Sequence, residues 1–529
     1  MKELTSQPSA SLERGLSPGS ALGSVLAAVR RHPDLAALTL IGLVAGLLRL
    51  AFLYRVPVIL TGDSQSHLLP GYDLAFGNNF EPELRRPPGY ALFAAGSILL
   101  LGEELRSLVF VQQLLGVVAA LLTYLLGRAM FGTATGGRAA GLLAGLLVAL
   151  NGALILSGQS IMTETLFTAL LLGALLALVL AGRGGRWGWA LLAGLLLGAA
   201  ALTRPVAQAL VVLVPLAFLL STRRPWPIAR GTLLVGVGFG LVMVPWMARN
   251  YAEHGTPSAA GGLGRSLIAR TIKYDEGYFD TARPASDGDP ALSQEQALKA
   301  DVRQFIRGKR NTIRNSRSVR STQAGLMKEF GLSQAESDRL MRQVATEAIA
   351  ERPGYYVVGS LKMAWQIVLG KEKEDTYSDR WVMRRDKDWT EQWESRVDHL
   401  LTPSTVAEQS SVETAEWLTD LFQPATVGAV LPVLAGLGLV LAAVGARSAL
   451  LPGLAGSILL LASAALDGPV PRYRYPLDPL IALFAAGALT LAAGWAVAVW
   501  RRSRTGTRAR REAPAEPRIG PAPVAEASR

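Results

Sequence analysis

The chain has 529 residues, no cysteine, a hydrophobic share of 50% and a charged share of only 18%. Its 54 glycines bring the apolar fraction to about 60%, against roughly 45–50% for a soluble domain. That composition excludes a disordered chain, a disulfide scaffold and a cysteine-built metal site, and it points to an integral membrane protein.

The net charge is +12. Many of the arginines stand in short loops between apolar runs, as the positive-inside rule requires of cytoplasmic loops. No nucleic-acid partner is expected from this distribution. Arg14, Arg30 and Arg31 precede the first apolar run, Leu35 to Tyr54, with no small-residue cleavage site, so an uncleaved first span is expected. Residues 1–34 form a cytoplasmic tail in this reading.

A span needs roughly 20 apolar residues. Runs of about that length recur at 107–127, 139–163, 165–182, 187–203, 205–222, 231–248, 423–446, 448–466 and 479–500. With the first run they predict an all-α polytopic bundle of about ten transmembrane helices. Two further apolar stretches, 89–102 and 355–369, would raise the number to twelve, but both read better as interfacial. The first is short, and counting it would invert the charge pattern downstream.

With the N-terminus in the cytoplasm, the basic turns at 128–138, 183–186, 223–230 and 447 fall inside. The basic turns at Arg204 and Arg472–Arg474 fall outside, against the rule. The expected organisation is an N-terminal membrane module at 35–255 with a first outer loop at 56–106, and an outer-face, mostly helical segment at 256–423. C-terminal membrane helices at 424–500 and a disordered basic tail at 501–529 complete it. No internal repeat of a transporter kind is evident.

Several polar residues stand out against this background. Asp63 lies just beyond the first span, and His67 follows at i+4, on the same helix face. An N-capping aspartate and a water-facing histidine would give the same spacing. Arg85 and Arg86 precede Pro87-Pro88, which holds them in extended chain before the 89–102 stretch. Their forks suit phosphate oxygens, or lipid headgroups. Glu164 is the only acidic residue between Glu104 and Glu253, and it begins a span, where the helix dipole favours a carboxylate. Arg204, Arg249, Arg472 and Arg474 each flank an outer helix end, as snorkelling anchors would. Taken together, two carboxylates and six guanidinium groups gather on the outer face. That is the makeup of a site where a hydroxyl loses a proton and a phosphate departs.

The motifs that carry these residues resemble a known family. The stretch TGDSQSHLLPGYDLAFGNNFEPELRRPPGYALFAAGSILLLG at 61–102 is similar to the first outer loop of GT-C glycosyltransferases of family 39. That group is related to protein O-mannosyltransferases and to the lipid A aminoarabinose transferase. GRAMFG at 127–132, SGQSIMTETLF at 157–167, LLLGAAALTRP at 195–205, VPWMARNY at 244–251 and RYRYPLDPLIAL at 472–483 follow in family order.

The resemblance implies a membrane glycosyltransferase that moves a sugar from a polyprenyl-phosphate-linked donor to an acceptor hydroxyl on a glycan, lipid or protein. It places the site at the outer face of the cytoplasmic membrane, with inversion at the anomeric carbon. Asp63 takes the place of the family's essential first-loop aspartate, and Glu164 that of the second-loop acid. Arg86 matches a basic position at the carrier phosphate, and Arg204 and Arg249 match others near the cavity. Position 67 is His where Tyr is common. Arg85 replaces a glutamate of the aminoarabinose transferase, so no cofactor is implied and a divalent metal has no support. A transporter or flippase of lipid-linked sugars, or a glycan polymerase or ligase, is the alternative.

Overall fold

The structure, a computed structural model, describes residues 27–369 except 57, 61–62, 79, 83, 133–135, 185–186, 274–293 and 310–315, and residues 425–511 except 446. The expected outer segment beyond 369 and the tail beyond 511 lie outside the described residues. What is described is helical. One isolated parallel bridge, Ile59 to Ser160, is the β pairing among the described residues.

The first module runs α1 Pro33–Arg55, α2 Ser64–Ala75, α3 Gly89–Leu101, α4 Leu105–Phe131, α5 Gly137–Leu150 and α6 Gly152–Gln159. It continues with α7 Glu164–Gly182, α8 Trp187–Thr203, a 3-10 turn at Pro205–Val212, α9 Leu213–Leu219 and α10 Pro225–His254. The segment expected on the outer face follows: α11 Leu263–Ile268, α12 Gln294–Gly308, α13 Ser316–Phe330, α14 Gln334–Glu351 and α15 Pro353–Leu369. The chain ends in α16 Ala425–Gly445, α17 Arg447–Leu466, a 3-10 turn at Pro471–Arg474 and α18 Asp478–Arg511.

The chain is a multi-pass membrane protein. Six helices are long and apolar enough to span a bilayer, and a seventh if α5 and α6, bent by 51° at Asn151, count as one. Among the described residues each expected apolar run falls mostly on helix. Three of them, at 187–203, 205–219 and 430–443, are shorter apolar helices than a full span. The 205–222 run is divided because it opens in a 3-10 turn at Pro205 and only then becomes α9. α18 runs on through Arg511, well into the stretch expected as a tail.

Small residues set the closest packing. A β-carbon at Gly194 of α8 would lie 2.1 Å from the Val235 carbonyl oxygen of α10, and one at Gly238 would lie 2.4 Å from that of Leu191. The two backbones therefore touch, which in lipid replaces hydrophobic driving force with dispersion contact. α7 is the most enclosed span, with 72% of its apolar window buried. At the opposite end from Asp63, Asp34 at the start of α1 accepts from Arg128 Nε at 2.8 Å, Arg138 Nε at 3.0 Å and Tyr124 Oη at 2.6 Å. That cluster ties the ends of α1, α4 and α5.

The segment expected on the outer face has its own core, in which Leu267 and Ile272 meet Val302, Val319, Leu340 and Val344. Ser333 and Glu336 form a capping box at the start of α14. α15 buries Met363, Ala364 and Ile367 beside Ala464 and Tyr473, and leaves Tyr355, Val358, Leu361 and Trp365 exposed on its other side.

Gly194→Leu forces side-chain atoms into the α10 backbone and is expected to destabilise the bundle by at least about 1–3 kcal/mol. Gly188→Leu, with open space around it, is expected to be silent. Thermal unfolding in detergent checks both.

Candidate active site

The site begins with the isolated bridge. Ile59 donates its N–H to the Gln159 carbonyl at 3.0 Å, and Ile161 donates to the Ile59 carbonyl at 3.1 Å. The bridge is parallel, and Asp63 and Glu164 lie four residues beyond its two members, Ile59 and Ser160. The bridge is held from α4. Gln112 Nε2 donates to the Gly158 and Ser160 carbonyls at 3.0 and 2.8 Å, and Tyr90 Oη donates to Gln112 Oε1 at 2.6 Å. Gln113 Nε2 donates to the Ile155 carbonyl and to Gln159, whose own amide donates to Val56. These glutamines satisfy the backbone that the short helix α6 leaves open in an apolar surround.

Asp63 stands at the N-cap of α2, yet its carboxylate makes no capping hydrogen bond. Arg86 donates to Oδ1 at 2.5 Å and Arg472 donates to Oδ2 at 2.9 Å. Arg472 also lies 3.7 Å from Glu164 Oε1, and Arg204 donates to that oxygen at 2.8 Å. Arg204 stacks on Tyr473 at 5.0 Å and Phe167 at 5.8 Å. The result is an alternating chain, Arg86, Asp63, Arg472, Glu164, Arg204, whose three cations and two anions leave one positive charge. Glu164 is 2% exposed, so without this pairing its charge would be costly to keep.

Close backbone contact keeps Arg86 near Arg204. A β-carbon at Gly89 would sit 2.6 Å from the Leu202 carbonyl oxygen, so the start of α3 rests on the end of α8. Arg85 packs its stem beside Gly262, and its charge reaches Asp63.

Burial by itself would raise the Asp63 pKa, but the charges of Arg86, Arg472 and Arg85 outweigh it and hold the carboxyl well below the usual range. Burial, and then Arg86, push His67 well below its ordinary value, so the imidazole is neutral. It meets Tyr90 edge-on at 5.5 Å. Burial opposes the charge on Arg472, yet Asp63 and Glu164 raise its pKa above the ordinary value.

Asp63, Glu164, Arg85, Arg86, His67, Arg204 and Arg472 therefore come together. Two of the arginines expected to join them have other partners. Arg249 pairs with Glu253 at 2.6 Å, one helical turn on, donates to the Phe80 carbonyl at 3.3 Å and lies over Trp246. Arg474 is paired with Asp478 at 2.8 Å, again one turn on, with its side chain 8% exposed. Among the described residues no three His, Asp or Glu side chains converge as metal ligands. Guanidinium neighbours around Asp63 form a donor set suited to an anion. Tyr90, Gln112 and Tyr473 are site-building residues that sequence reasoning missed. Two adjacent glutamines inside an apolar span were the available signal.

Residues 85–248 match the family model of dolichyl-phosphate-mannose-protein mannosyltransferases. Over that stretch the resemblance carried by the motifs is borne out. It covers Arg85, Arg86, Glu164 and Arg204, and stops short of Asp63 and Arg472. No curated protein matches the sequence.

Among solved structures, the chain is similar to the oligosaccharyltransferase AglB of Archaeoglobus fulgidus in complex with an inhibitory peptide and a dolichol-phosphate. The identity is 14% and the TM-score 0.45, over 90% of this chain and 52% of that one. It is also similar to ArnT of Cupriavidus metallidurans bound to undecaprenyl phosphate, at 13% identity and TM-score 0.36, over 90% and 79%. The chain spans about half the length of the archaeal enzyme, and at such scores these likenesses carry no weight below.

Because the folded carboxyl titrates below the unfolded one, Asp63 contributes stability above pH ~3.9 that is lost as pH falls through its folded pKa. The stability gap between wild type and Asp63→Asn is expected to be constant from pH 8 to about 5 and to close only below pH ~3.9. Unfolding curves across that range check it.

Proposed function

We propose that the chain is a GT-C glycosyltransferase acting at the outer face of the cytoplasmic membrane. In this reading a sugar passes from a polyprenyl-phosphate-linked donor to an acceptor hydroxyl of a glycan, lipid or protein. The observation that carries the reading is Arg472 held between Asp63 and Glu164, with Arg86 and Arg204 at the two ends. The family match over residues 85–248 supports the reaction class.

A carboxylate held between two arginines is a weak base, since its proton affinity is spent on their charges. The donor's phosphate changes that. Its oxygens compete for Arg86 and Arg472 in bidentate fashion, which frees one Asp63 oxygen and raises its basicity. Asp63 then takes the acceptor proton as the hydroxyl oxygen attacks the anomeric carbon opposite the phosphate. The glycosidic bond to phosphate breaks, the configuration inverts, and the arginines neutralise the departing phosphomonoester. Glu164 keeps Arg472 and Arg204 in place and offers an acceptor for sugar hydroxyls. The carrier's alkyl chain stays in the bilayer beside the bundle.

Asp63→Asn is expected to lower transfer by about 10²–10⁴-fold, with folding retained. Arg472→Ala is expected to cost about 10²–10³-fold, whereas Arg249→Ala, removing an arginine already paired with Glu253, stays within about threefold. The assay is transfer from labelled polyprenyl-phospho-sugar by purified protein in detergent. Full turnover in Asp63→Asn removes the base assignment. Movement of intact donor with no new glycosidic bond would instead make the protein a transporter, and consumption of a carrier diphosphate would make it a polymerase or ligase.

A further inference from the structure

The turn Pro471–Arg474 sends three consecutive side chains to three partners. Arg472 reaches both site carboxylates, Tyr473 lies under Arg204, and Arg474 turns to Asp478. A long arginine side chain bridges two carboxylates only if its backbone is held, since it otherwise has many rotamers to lose. Tyr473 N–H donates to Val470, Tyr475 N–H to Arg472 and Leu477 N–H to Arg474, and the Tyr473, Tyr475 and Leu477 side chains are buried.

A further restraint comes through the Arg474 side chain. Its Nε donates to Asp478 Oδ1 at 2.8 Å, and both side chains are almost fully buried, at 8% and 3% exposure. The other oxygen of Asp478 accepts from Asn151 Nδ2 at 3.2 Å. Asn151 uses its own Oδ1 to accept from Leu154 N–H at 3.2 Å, capping α6 at the 51° bend. A continuous polar chain thus links the bent helix, which leads to Ser160 and Glu164, with the turn that carries Arg472. Asp478 opens α18, where the helix dipole favours its charge. A buried ion pair is weak evidence for stability, because an apolar pair of similar volume does as well. Retaining one beside the site calls for a different reason.

We infer that Asn151, Asp478 and Arg474 are positioning residues that fix the turn so that Arg472 meets the donor phosphate and both carboxylates. None of the three touches the reacting groups. The inference rests on the reading that Arg472 binds that phosphate, and two measurements separate them.

The first is a double-mutant cycle, with binding of undecaprenyl phosphate to the full chain in detergent as the readout. Asp478→Asn is expected to weaken binding about tenfold in the wild-type background and less than about twofold in Arg472→Ala. An equal loss in both backgrounds overturns the inference, because Asp478 would then act on the whole fold. Asn151→Ser retains an N-cap oxygen but loses the amide donor to Asp478, and is expected to weaken binding about threefold in the wild-type background and less than about twofold in Arg472→Ala.

The second needs no lipid. Phenylglyoxal modification of Arg472, followed by peptide mass spectrometry, is expected to rise several-fold in Asp478→Asn and Asn151→Ser while that of Arg128 is unchanged. Unchanged labelling of Arg472 overturns the positioning role. Failure of the wild-type chain to bind undecaprenyl phosphate removes the proposed function, while the labelling still decides the positioning.

Discussion

Charge in an apolar bundle must be balanced where it stands, and the site follows from that constraint. Glu164 lies at the start of the most enclosed span and is 2% exposed. Arg204 and Arg472 flank it, and Arg472 is in turn held by Asp63, which Arg86 completes. Each member comes from a different element, so the chain of charges also joins the starts of α2, α3 and α7 with the end of α8 and the turn before α18. Deleting one member leaves its neighbours with fewer counter-charges, which is most costly at Glu164, 2% exposed.

Apolar packing makes this arrangement reproducible. Glycine contacts bring α8 against α10 and the start of α3 against the end of α8. The end of α8 is where Arg204 emerges, and the start of α3 is preceded by Arg86. Gln112 and Tyr90 then fix the bridge that precedes Asp63 and Glu164. Polar satisfaction of backbone and placement of buried charge are here one problem, solved by neighbouring side chains.

Much of this was legible beforehand. Composition and run length foretell an all-α membrane bundle, and among the described residues each apolar run falls mostly on helix. The number of full spans was less legible. The run 139–163 reads as one span but bends at Asn151, and its Asn-Gly pair inside an apolar stretch was the local sign of a new helix start. The site acids and most of the arginines stand out as charges on an apolar background. Their partnership does not, because Asp63 and Arg472 are 409 residues apart and no local pattern encodes that meeting. Arg249 and Arg474 were expected in the site on the same argument as the others. Both have an acid one helical turn downstream, Glu253 and Asp478, and that local pairing prevails.

The parallel bridge has a mechanical corollary. Asp63 and Glu164 each follow a bridged residue, Ile59 or Ser160, by four positions, and both pair with Arg472. Inserting a residue between either bridged position and its acid would pull one carboxylate off the guanidinium they share, though every side chain were still present.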